Sequence, residues 1–314
     1  MEYVRLGRSG LVSSVIGLGG GSSSRFGLTK GGTKYDALRL IGCALDLGIT
    51  FFDGAGATGG VDGLLREGLS GSRERVLIST KVHLGPDPIP FSAGRRANMA
   101  SSWIARRFGL VCSASTLRAR VEHALKTLRT DRIDVLQLHA VTPRQYPSAA
   151  TKAVPLLLKM KEEGKLRAIG ITEQFLRDPG HRMLLEAVKS ASIDTMMVGF
   201  NLRNRSAADF VIPAAAKAGV GVIGMFNVRG LGLEPDNDLI EILAATGATS
   251  LPELAYRYCR YHPGVDVVLT GTGNPDHLVR NVKACASPPL CHSVLQRLEA
   301  WFDRQFQADA STRK

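Results

Sequence analysis

Eight short apolar segments, each separated from the next by a helix-like stretch, constrain the fold of this chain more than any other feature. They span residues 15–19, 49–53, 76–81, 133–139, 165–172, 193–201, 220–225 and 265–270. Apolar residues run through these segments without polar alternation, which is typical of parallel strands that return helices cover on both faces. Strand and helix alternate along the whole chain, and eight such units predict a (β/α)8 TIM barrel.

Amphipathic segments lie between the predicted strands. In "DALRLIGCALDL" the residues Leu38, Ile41 and Leu45 and their neighbours recur at steps of three and four, which indicates one apolar helix face. A second helix in "TLRARVEHALKTL" carries its apolar face on four residues. These are Leu117, Val121, Leu125 and Leu128.

A doubly wound dinucleotide-binding fold is the competing interpretation, because "GLGGGS" follows the first strand directly. That fold requires the glycine turn to open a helix at once. Here "SSRFGLTKGGT" intervenes and the amphipathic pattern begins only near Asp36, which favours the barrel. The first fourteen residues, with "GRSG" between two short alternating runs, predict a hairpin that closes the barrel floor. Residues 1–314 are predicted to form a single domain.

Composition excludes several classes of protein. Hydrophobic residues make up 44% and charged residues 22% of the chain, the balance of an ordinary globular protein. An apolar leader and a membrane-length apolar stretch are both missing from the sequence, which predicts a cytoplasmic protein without a membrane partner. The five cysteines have no CxxC spacing, so neither a disulfide framework nor a metal site is expected.

The net charge of +12 indicates either an anionic partner or basic residues that are spread over the surface. Basic and acidic residues alternate in segments such as "KMKEEGKLR", which argues against nucleic-acid binding. A denser basic group lies between residues 83 and 112, where Asp87 is the one acid. It consists of Arg95, Arg96, Arg106 and Arg107, accompanied by Trp103, Ile104 and Phe108. This segment is either a solvated insertion or a wall of the substrate pocket that attracts an anionic small molecule.

Polar residues end three neighbouring strands. Asp53 ends the second strand, Lys81 the third and His139 the fourth. Barrel enzymes build their active sites at the carboxyl ends of the strands, so these residues are candidates for catalysis by position. A carboxylate can keep the lysine charged beside a reacting oxygen, and the imidazole can donate a hydrogen bond to that oxygen.

Seven motifs together resemble those of the aldo-keto reductase family. They are "LGRSGLVSSVIGLGGG", "ALDLGITFFD", "VLISTKV", "RIDVLQLHA", "EGKLRAIGIT", "AGVGVIGMFNVRG" and "TGTGNPDHLVRNV". The resemblance implies a barrel that binds NADPH without a Rossmann fold and an oxidoreductase that transfers hydride to a carbonyl carbon. It also implies that Asp53, Lys81 and His139 belong to a catalytic tetrad, in which Thr58 stands where the family has a tyrosine.

Thr58 makes this tetrad atypical, because an aliphatic hydroxyl is a far poorer acid than a phenol. Losing a general acid typically lowers the rate by a factor on the order of 10² to 10⁴. A bound water, His139, Tyr146 or Tyr35 could replace it, or the substrate could be an iminium ion that needs no strong acid. Small residues in this loop, Gly54, Gly56 and Thr58, favour a bulky substrate.

The resemblance further implies a cofactor site near the carboxyl ends of six strands. Its residues are Gly20, Asp53, Thr172, Glu173, Met197, Met225, Phe226, Asn227, Arg229, Gly230, Gly271, Thr272, Asn274, His277, Arg280 and Asn281. Asn274 and Pro275 are predicted to begin the helix after the last strand, where barrels commonly bind phosphate. Arg280 and His277 favour NADP(H) as the cofactor, and NAD(H) is the alternative cofactor.

Three functions follow from these residues. The leading hypothesis is an NADP(H)-dependent oxidoreductase that acts on a carbonyl or imine with an altered proton-transfer step. The second is a non-redox lyase or dehydratase that uses Lys81, His139 and Asp53 for acid-base chemistry. The third is a catalytically silent dinucleotide-binding protein.

Overall fold

A computed structural model describes residues 1–21, 24–56, 60–85, 104–105, 107–232 and 236–311, with the side chains of 306–311 left out. Eight parallel strands close into a barrel in which strands consecutive in the chain are neighbours and the last strand pairs with the first. They are β3 (Ile16–Gly19), β4 (Phe51–Asp53), β5 (Leu77–His83), β6 (Ile133–Val141), β7 (Leu166–Glu173), β8 (Thr195–Gly199), β9 (Gly221–Met225) and β10 (Val267–Thr270). The predicted (β/α)8 barrel is confirmed.

Helices surround the barrel and cover the outer face of its strands. They are α1 (Lys34–Asp46), α2 (Val61–Gly68), α3 (Ala114–Leu128), α4 (Val154–Glu162), α5 (Arg182–Ala187), α6 (Ser206–Asp209), α7 (Val211–Ala218), α8 (Asn237–Thr246), α9 (Leu251–Arg260), α10 (Pro275–Ala286) and α11 (His292–Ser311). A helical turn at Tyr146–Ser148 and a π-helical segment at Ala149–Ala153 lead into α4. Among these described helices, none combines the length and the apolar character that crossing a membrane requires.

Side chains divide between two apolar clusters according to strand alternation. The larger cluster fills the space between the strands and the helices. A smaller cluster fills the barrel interior with one or more inward residues from seven strands, for example Phe51, Val135 and Ile223. Inward and outward residues alternate along each strand. The inward residues that follow this cluster along the strands therefore lie near the carboxyl ends of the strands.

An antiparallel hairpin closes the amino end of the barrel, as the sequence predicts. Its strands are β1 (Tyr3–Arg5) and β2 (Val12–Ser14). Leu6 and Leu11 lie in the turn region and pack into the interior cluster. Nearby, the Arg8 guanidinium donates hydrogen bonds to the carbonyl oxygens of Ala218, Ser190 and Ile193. The hairpin therefore occupies the floor of the barrel, opposite the carboxyl ends of the strands.

Two glycines of this turn offer a matched test of how the hairpin seats on the barrel. Gly7 and Gly10 both have positive φ, 48° and 75°. A Cβ at Gly7 would lie 2.1 Å from the Gly221 amide nitrogen, whereas a Cβ at Gly10 would have no atom within 4 Å. We expect Gly10→Ala to cost about 1 kcal/mol of unfolding free energy from backbone strain. Gly7→Ala should cost roughly 1–3 kcal/mol more, because backbone atoms must move apart.

Urea unfolding followed by circular dichroism measures both substitutions. Equal midpoints for the two variants would contradict the close contact between the hairpin turn and β9.

Candidate active site

Asp53 and Lys81 form a buried ion pair at the carboxyl ends of β4 and β5. Lys81 Nζ lies 2.6 Å from Asp53 Oδ1 and 2.5 Å from Oδ2, and it donates to the Gly54 carbonyl oxygen at 2.6 Å. Lys81 is 7% exposed and Asp53 is 3% exposed. Ser79, which pairs with Asp53 across the strands, donates to Asp53 Oδ1 at 3.0 Å. The pair thus fixes the Lys81 ammonium group beside the Asp53 carboxylate at the carboxyl ends of the strands.

A second carboxylate, which the sequence analysis did not identify, supports this pair. Asp62 lies in the first turn of α2 and is buried. Thr80 Oγ1 donates to Asp62 Oδ2 at 2.6 Å, and the Ala55 amide donates to Oδ1 at 3.2 Å. Burial raises the pKa of Asp62, and the Thr80 hydrogen bond and the Lys81 charge oppose that shift. Asp62 therefore ties the start of the glycine-rich loop to β5.

The glycines of this loop let its backbone pass close to β5. A Cβ at Gly54 would lie 2.3 Å from Asp62 Oδ1, and a Cβ at Gly56 would lie 2.3 Å from the Lys81 carbonyl oxygen. Gly56 also has a φ of 70°, which favours glycine. These glycines are explained by close packing, so they do not indicate a wider pocket. Thr58, on which the expectation of a bulky substrate now rests, lies outside the described residues.

His139 lies on β6, beside β5, as predicted. Thr172 Oγ1 on β7 accepts a hydrogen bond from the Ala140 amide at 2.7 Å and lies 3.3 Å from His139 Nδ1. The Thr172 hydroxyl and His139 Nδ1 are thus within hydrogen-bonding distance, and the tautomer of the ring decides which of them donates. The ring of His83 meets that of His139 edge to face, with centroids 4.6 Å apart and an interplanar angle of 86°.

Glu173, expected at the cofactor site, is bound to the protein through both oxygens. The Gly199 amide donates to Oε1 at 2.7 Å, and His181 Nδ1 lies 2.8 Å from Oε2. On its other side, His181 Nε2 lies 2.9 Å from Ser206 Oγ. Burial raises the pKa of Glu173, and the contact with His181 and the Gly199 amide lower it in part. This chain of contacts holds the end of β7 against β8 and α6.

Gln174, the next residue, provides an acceptor that the sequence analysis missed. Its Oε1 is buried and has no hydrogen-bond partner among the described residues. Buried acceptors are normally paired in folded proteins. Gln174 Oε1 is therefore a better candidate than Glu173 to accept a hydrogen bond from a bound ligand at this rim.

The two tyrosines that were considered as replacement acids lie away from Lys81 and His139. Tyr146 is buried in the larger apolar cluster, between the strands and the helices. Its hydroxyl is hydrogen-bonded to Ser190. The Ser190 carbonyl oxygen in turn accepts a hydrogen bond from Arg8 of the floor hairpin. Burial is the largest effect on the Tyr146 hydroxyl and raises its pKa. Tyr35 is 69% exposed at the start of α1. Neither tyrosine is placed to donate a proton at the barrel mouth.

Residues of β8, of β9 and of the turn after β9 were predicted to belong to the cofactor site. Met197 packs in the interior cluster, and Met225 packs against that cluster from the end of β9. Phe226 has a φ of 64° and is 37% exposed. Arg229 places its guanidinium 4.9 Å from the centre of the Phe226 ring. This stacking leaves a cation and an aromatic face at the rim.

Two more predicted residues of the same segment lie against the residues that follow β8. Asn227 is buried and donates to the Phe200 carbonyl oxygen at 3.2 Å. Gly230 has a φ of 77°, and a Cβ there would lie 2.9 Å from an Arg203 nitrogen. Asn227 and Gly230 therefore shape the turn after β9 rather than present side chains to the rim.

The segment after β10 has the predicted helix start. Asn274 is the N-cap of α10, and its Oδ1 accepts hydrogen bonds from the amides of Asp276 at 2.8 Å and His277 at 3.4 Å, with Pro275 at the first position. Thr272 Oγ1 accepts from the Asn274 amide at 3.0 Å. The remaining predicted residues are Gly271, His277 and Arg280, which are exposed, and Asn281, which donates to Thr270 Oγ1.

The predicted Gly20 lies just past β3, next to the tetrad candidates. Its amide donates to the Asp53 carbonyl oxygen at 2.7 Å. A Cβ there would lie 2.4 Å from a Val61 methyl group, so only glycine fits without displacing α2. Gly20 therefore permits the close approach of the chain to α2.

Several predicted residues lie outside the described part of the chain. They are Thr58, Asp87, Arg95, Arg96, Trp103 and Arg106. Arg107 and Phe108 are exposed, and the Arg107 carbonyl oxygen accepts a hydrogen bond from Arg144 at 2.9 Å. Within the described ranges, no group of three or more His, Cys, Asp or Glu side chains could hold a metal ion.

Comparisons with known proteins agree with this geometry. The model of the Aldo/keto reductase family matches residues 15–302. An L-galactose dehydrogenase of Arabidopsis thaliana is 27% identical over 231 residues, which cover 71% of this chain but 64% of that enzyme, less than two thirds of its length.

Solved structures match over nearly the whole chain. The holo form of an aldo-keto reductase from Bacillus halodurans is 25% identical, with 96% of both chains covered and a TM-score of 0.75. An aldo-keto reductase from Klebsiella pneumoniae, solved in complex with NADPH, is 21% identical over 96% of this chain and 95% of its own, with a TM-score of 0.69. At that identity the second likeness shows the fold alone.

Proposed function

Because this chain belongs to the aldo/keto reductase family, we propose that it is an NADP(H)-dependent oxidoreductase that acts on a carbonyl or imine carbon. The observation that carries the proposal is the buried Lys81–Asp53 pair, with His139 on the neighbouring strand. A fixed cation stabilises an oxygen that gains negative charge in the transition state. NADP(H), when bound, supplies or accepts the hydride.

The donor set at the rim fits a dinucleotide. Arg229 and Arg280 offer cations to phosphate groups, and Thr272 and Asn274 lie at the start of α10, where the positive end of the helix dipole favours anions. Gln174 Oε1 offers an unpaired acceptor for an amide. Exposed Arg280 and His277 support a preference for the additional phosphate of NADP(H) over NAD(H).

The substrate class follows from charge and from the residue at position 58. A net charge of +12 and four arginines between residues 83 and 112 support an anionic small molecule. Thr58 supports either a substrate with more bulk than the tyrosine would allow or an iminium ion, on which hydride addition creates no oxyanion. A cytoplasmic location and the absence of a nucleic-acid partner stay predictions from the sequence.

Titration of the protein with NADPH and with NADH, followed by quenching of tryptophan fluorescence, tests cofactor binding. Oxidation of NADPH at 340 nm with a panel of aldehydes, keto acids and cyclic imines tests the reaction. Product formed without cofactor oxidation would select a lyase or dehydratase, and tight binding without turnover would select a silent binder. No binding of either dinucleotide would refute the proposal.

Restoring the phenol should increase reduction of generic aldehydes. We expect Thr58→Tyr to raise kcat by at least about tenfold, towards the factor on the order of 10² to 10⁴ that one general acid contributes. Thr58→Phe is the matched control, since it has the same ring without the hydroxyl and should give no gain. Equal rates for the two variants would mean that the phenol does not reach the reacting oxygen.

A further inference from the structure

The peptide group between Gly54 and Ala55 lies between two polar side chains. On one side, its carbonyl oxygen accepts a hydrogen bond from Lys81 Nζ at 2.6 Å. On the other side, its N–H, which belongs to Ala55, donates to Asp62 Oδ1 at 3.2 Å. A trans peptide group is planar, and its C=O and N–H bonds point in opposite directions. One rigid unit therefore connects Asp62 on α2 with the Lys81 ammonium group on β5.

The Gly54 carbonyl oxygen helps to decide where Lys81 places its charge. An ammonium group has three N–H donors. Lys81 Nζ lies 2.6 and 2.5 Å from the two Asp53 oxygens and 2.6 Å from the Gly54 carbonyl oxygen. The two carboxylate oxygens belong to one group, so the ammonium could swing around that group without the third contact. A peptide that turned away would thus let Nζ move, although the ion pair would stay intact.

The structure around this peptide is closely fitted to Asp62. The Gly54 amide donates to the Ser79 carbonyl oxygen at 2.7 Å. A Cβ at Gly54 would lie 2.3 Å from Asp62 Oδ1, so glycine lets the Asp62 side chain reach the next amide. From β5, Thr80 Oγ1 lies 2.6 Å from Asp62 Oδ2 and holds the other oxygen. Asp62 is 2% exposed, which shields these contacts from bulk water.

We propose that Asp62 is a positioning residue for Lys81 and acts through the Gly54–Ala55 peptide. This inference rests on the proposed function, in which the Lys81 charge stabilises the reacting oxygen. Asp62 holds the Ala55 amide, the peptide keeps its carbonyl oxygen on Lys81, and Nζ stays where that oxygen gains negative charge. Stabilisation of this kind needs charges that are in place before the reaction. A misplacement of about 1 Å can lower a rate by a factor on the order of 10².

An acceptor oxygen on Asp62, rather than its charge, is what this arrangement requires. Burial is the largest effect on the Asp62 carboxyl and raises its pKa, whereas the Thr80 hydrogen bond, the Lys81 charge and the Ala55 amide lower it. An amide N–H can donate to a carboxylate, to the carbonyl oxygen of a protonated carboxyl or to that of an asparagine side chain. Asparagine should therefore replace Asp62. Leucine, which is similar in size and has no acceptor, should not.

Asp62→Leu and Asp62→Asn test the proposal, with Asp266→Leu as the matched control. Asp266 is also a partly buried carboxyl that accepts from a backbone amide, that of Val222 at 2.9 Å, but it lies near the amino ends of β9 and β10. We expect Asp62→Leu to lower kcat for carbonyl reduction about 10- to 100-fold, while NADPH affinity changes by less than about threefold. Asp62→Asn keeps the hydrogen bond and should stay within about threefold of wild-type kcat. Asp266→Leu should lower stability and leave the kcat of the folded protein unchanged.

Gly54→Ala changes the same peptide while Asp62 and Lys81 are both present. The added Cβ would meet Asp62 Oδ1 at 2.3 Å, so the carboxyl group and the loop must move apart. We expect kcat to fall about tenfold or more. Gly63→Ala on α2, where a Cβ would meet no atom within 4 Å, is its control and should keep wild-type kcat. If Asp62→Leu does not fold, this pair decides, and equal kcat values for the two glycine variants would overturn the inference.

Hydrogen exchange of the Lys81 ammonium group in the cofactor-free protein gives a measurement that does not depend on turnover. In ¹H–¹⁵N spectra, exchange should be slow in the wild-type protein and in Asp62→Asn, because three hydrogen bonds hold the group away from water. In Asp62→Leu it should become at least about tenfold faster. Unchanged exchange or wild-type kcat in Asp62→Leu, or an equal loss of kcat in Asp62→Asn, would overturn the inference. Failure of the wild-type protein to bind NADPH would instead refute the proposed function, and the exchange rates would still test the inference.

Discussion

Lys81→Met is expected to abolish most turnover and to destabilise the protein at the same time. The substitution removes the cation that stabilises the reacting oxygen, which should lower kcat by a factor on the order of 10² to 10³. It also leaves Asp53 buried without its partner. Breaking a buried ion pair by removing one member typically costs on the order of 3–5 kcal/mol. We therefore expect a lower urea midpoint together with the loss of NADPH oxidation.

A second substitution separates the two effects. Asp53→Asn in the Lys81→Met background removes the unpaired charge, so it should recover about half or more of the lost stability and none of the activity. Lys34→Met is the matched control, because Lys34 pairs with Glu67 at 2.7 Å on the surface, where the two side chains are 63% and 40% exposed. That exposed pair should contribute at most about 1 kcal/mol. Wild-type stability in Lys81→Met would contradict the buried ion pair.

The sequence predicted the elements that depend on local pattern. All eight strands form, because unbroken apolar runs can be buried only between helices on one side and the barrel interior on the other. Asn274 and Pro275 begin α10 as predicted, since a side-chain cap and a proline at the first position act within one turn of helix. Patterns of this kind involve neighbours in sequence, so they can be interpreted without the fold.

The buried face of α1 shows that small residues can be missed when a buried face is predicted from the spacing of large apolar residues. Spacing predicted a face formed by Leu38, Ile41 and Leu45, the large apolar residues. Leu38 and Leu45 pack at its edge, whereas the fully buried residues are Ala37, Leu40, Ile41 and Ala44. Alanines let a helix approach the barrel closely, but their small side chains contribute little to a hydrophobic pattern. The prediction therefore gave the helix and the side of it that faces the core, with Ile41 at the centre of that side.

Residues that support the site from a distance in sequence were missed. Asp62 is an acid in the first turn of a helix, and nothing in the sequence around it shows that Thr80, 18 residues away, donates to it. His181 gives no pattern at all, since its partners Glu173 and Ser206 lie on other elements. Strand-end position identified the tetrad candidates, while their supporting contacts required the fold.

His181→Ala is expected to lower the free energy of unfolding, because it removes the partner of a buried carboxyl group, that of Glu173. The substitution removes the partner of Glu173 Oε2 in a site where Glu173 is 4% and His181 is 1% exposed. An unsatisfied buried carboxyl should cost on the order of 3 kcal/mol of unfolding free energy. His123→Ala, the same change at an exposed position, should cost less than about 0.5 kcal/mol. Urea unfolding of both variants measures the difference.

The pH dependence of this loss identifies Glu173 as its source. Burial raises the pKa of Glu173, and the contact with His181 opposes that shift, so the pKa should be higher still in His181→Ala. A carboxyl whose folded pKa exceeds its unfolded pKa stabilises the fold only while it is protonated, and this stabilisation is lost as the pH rises through the folded value. The deficit of His181→Ala should therefore be greater at pH 8 than at pH 5. Adding Glu173→Gln, which cannot ionise, should remove that pH dependence, and a deficit that stays constant with pH would mean that the cost comes from the cavity alone.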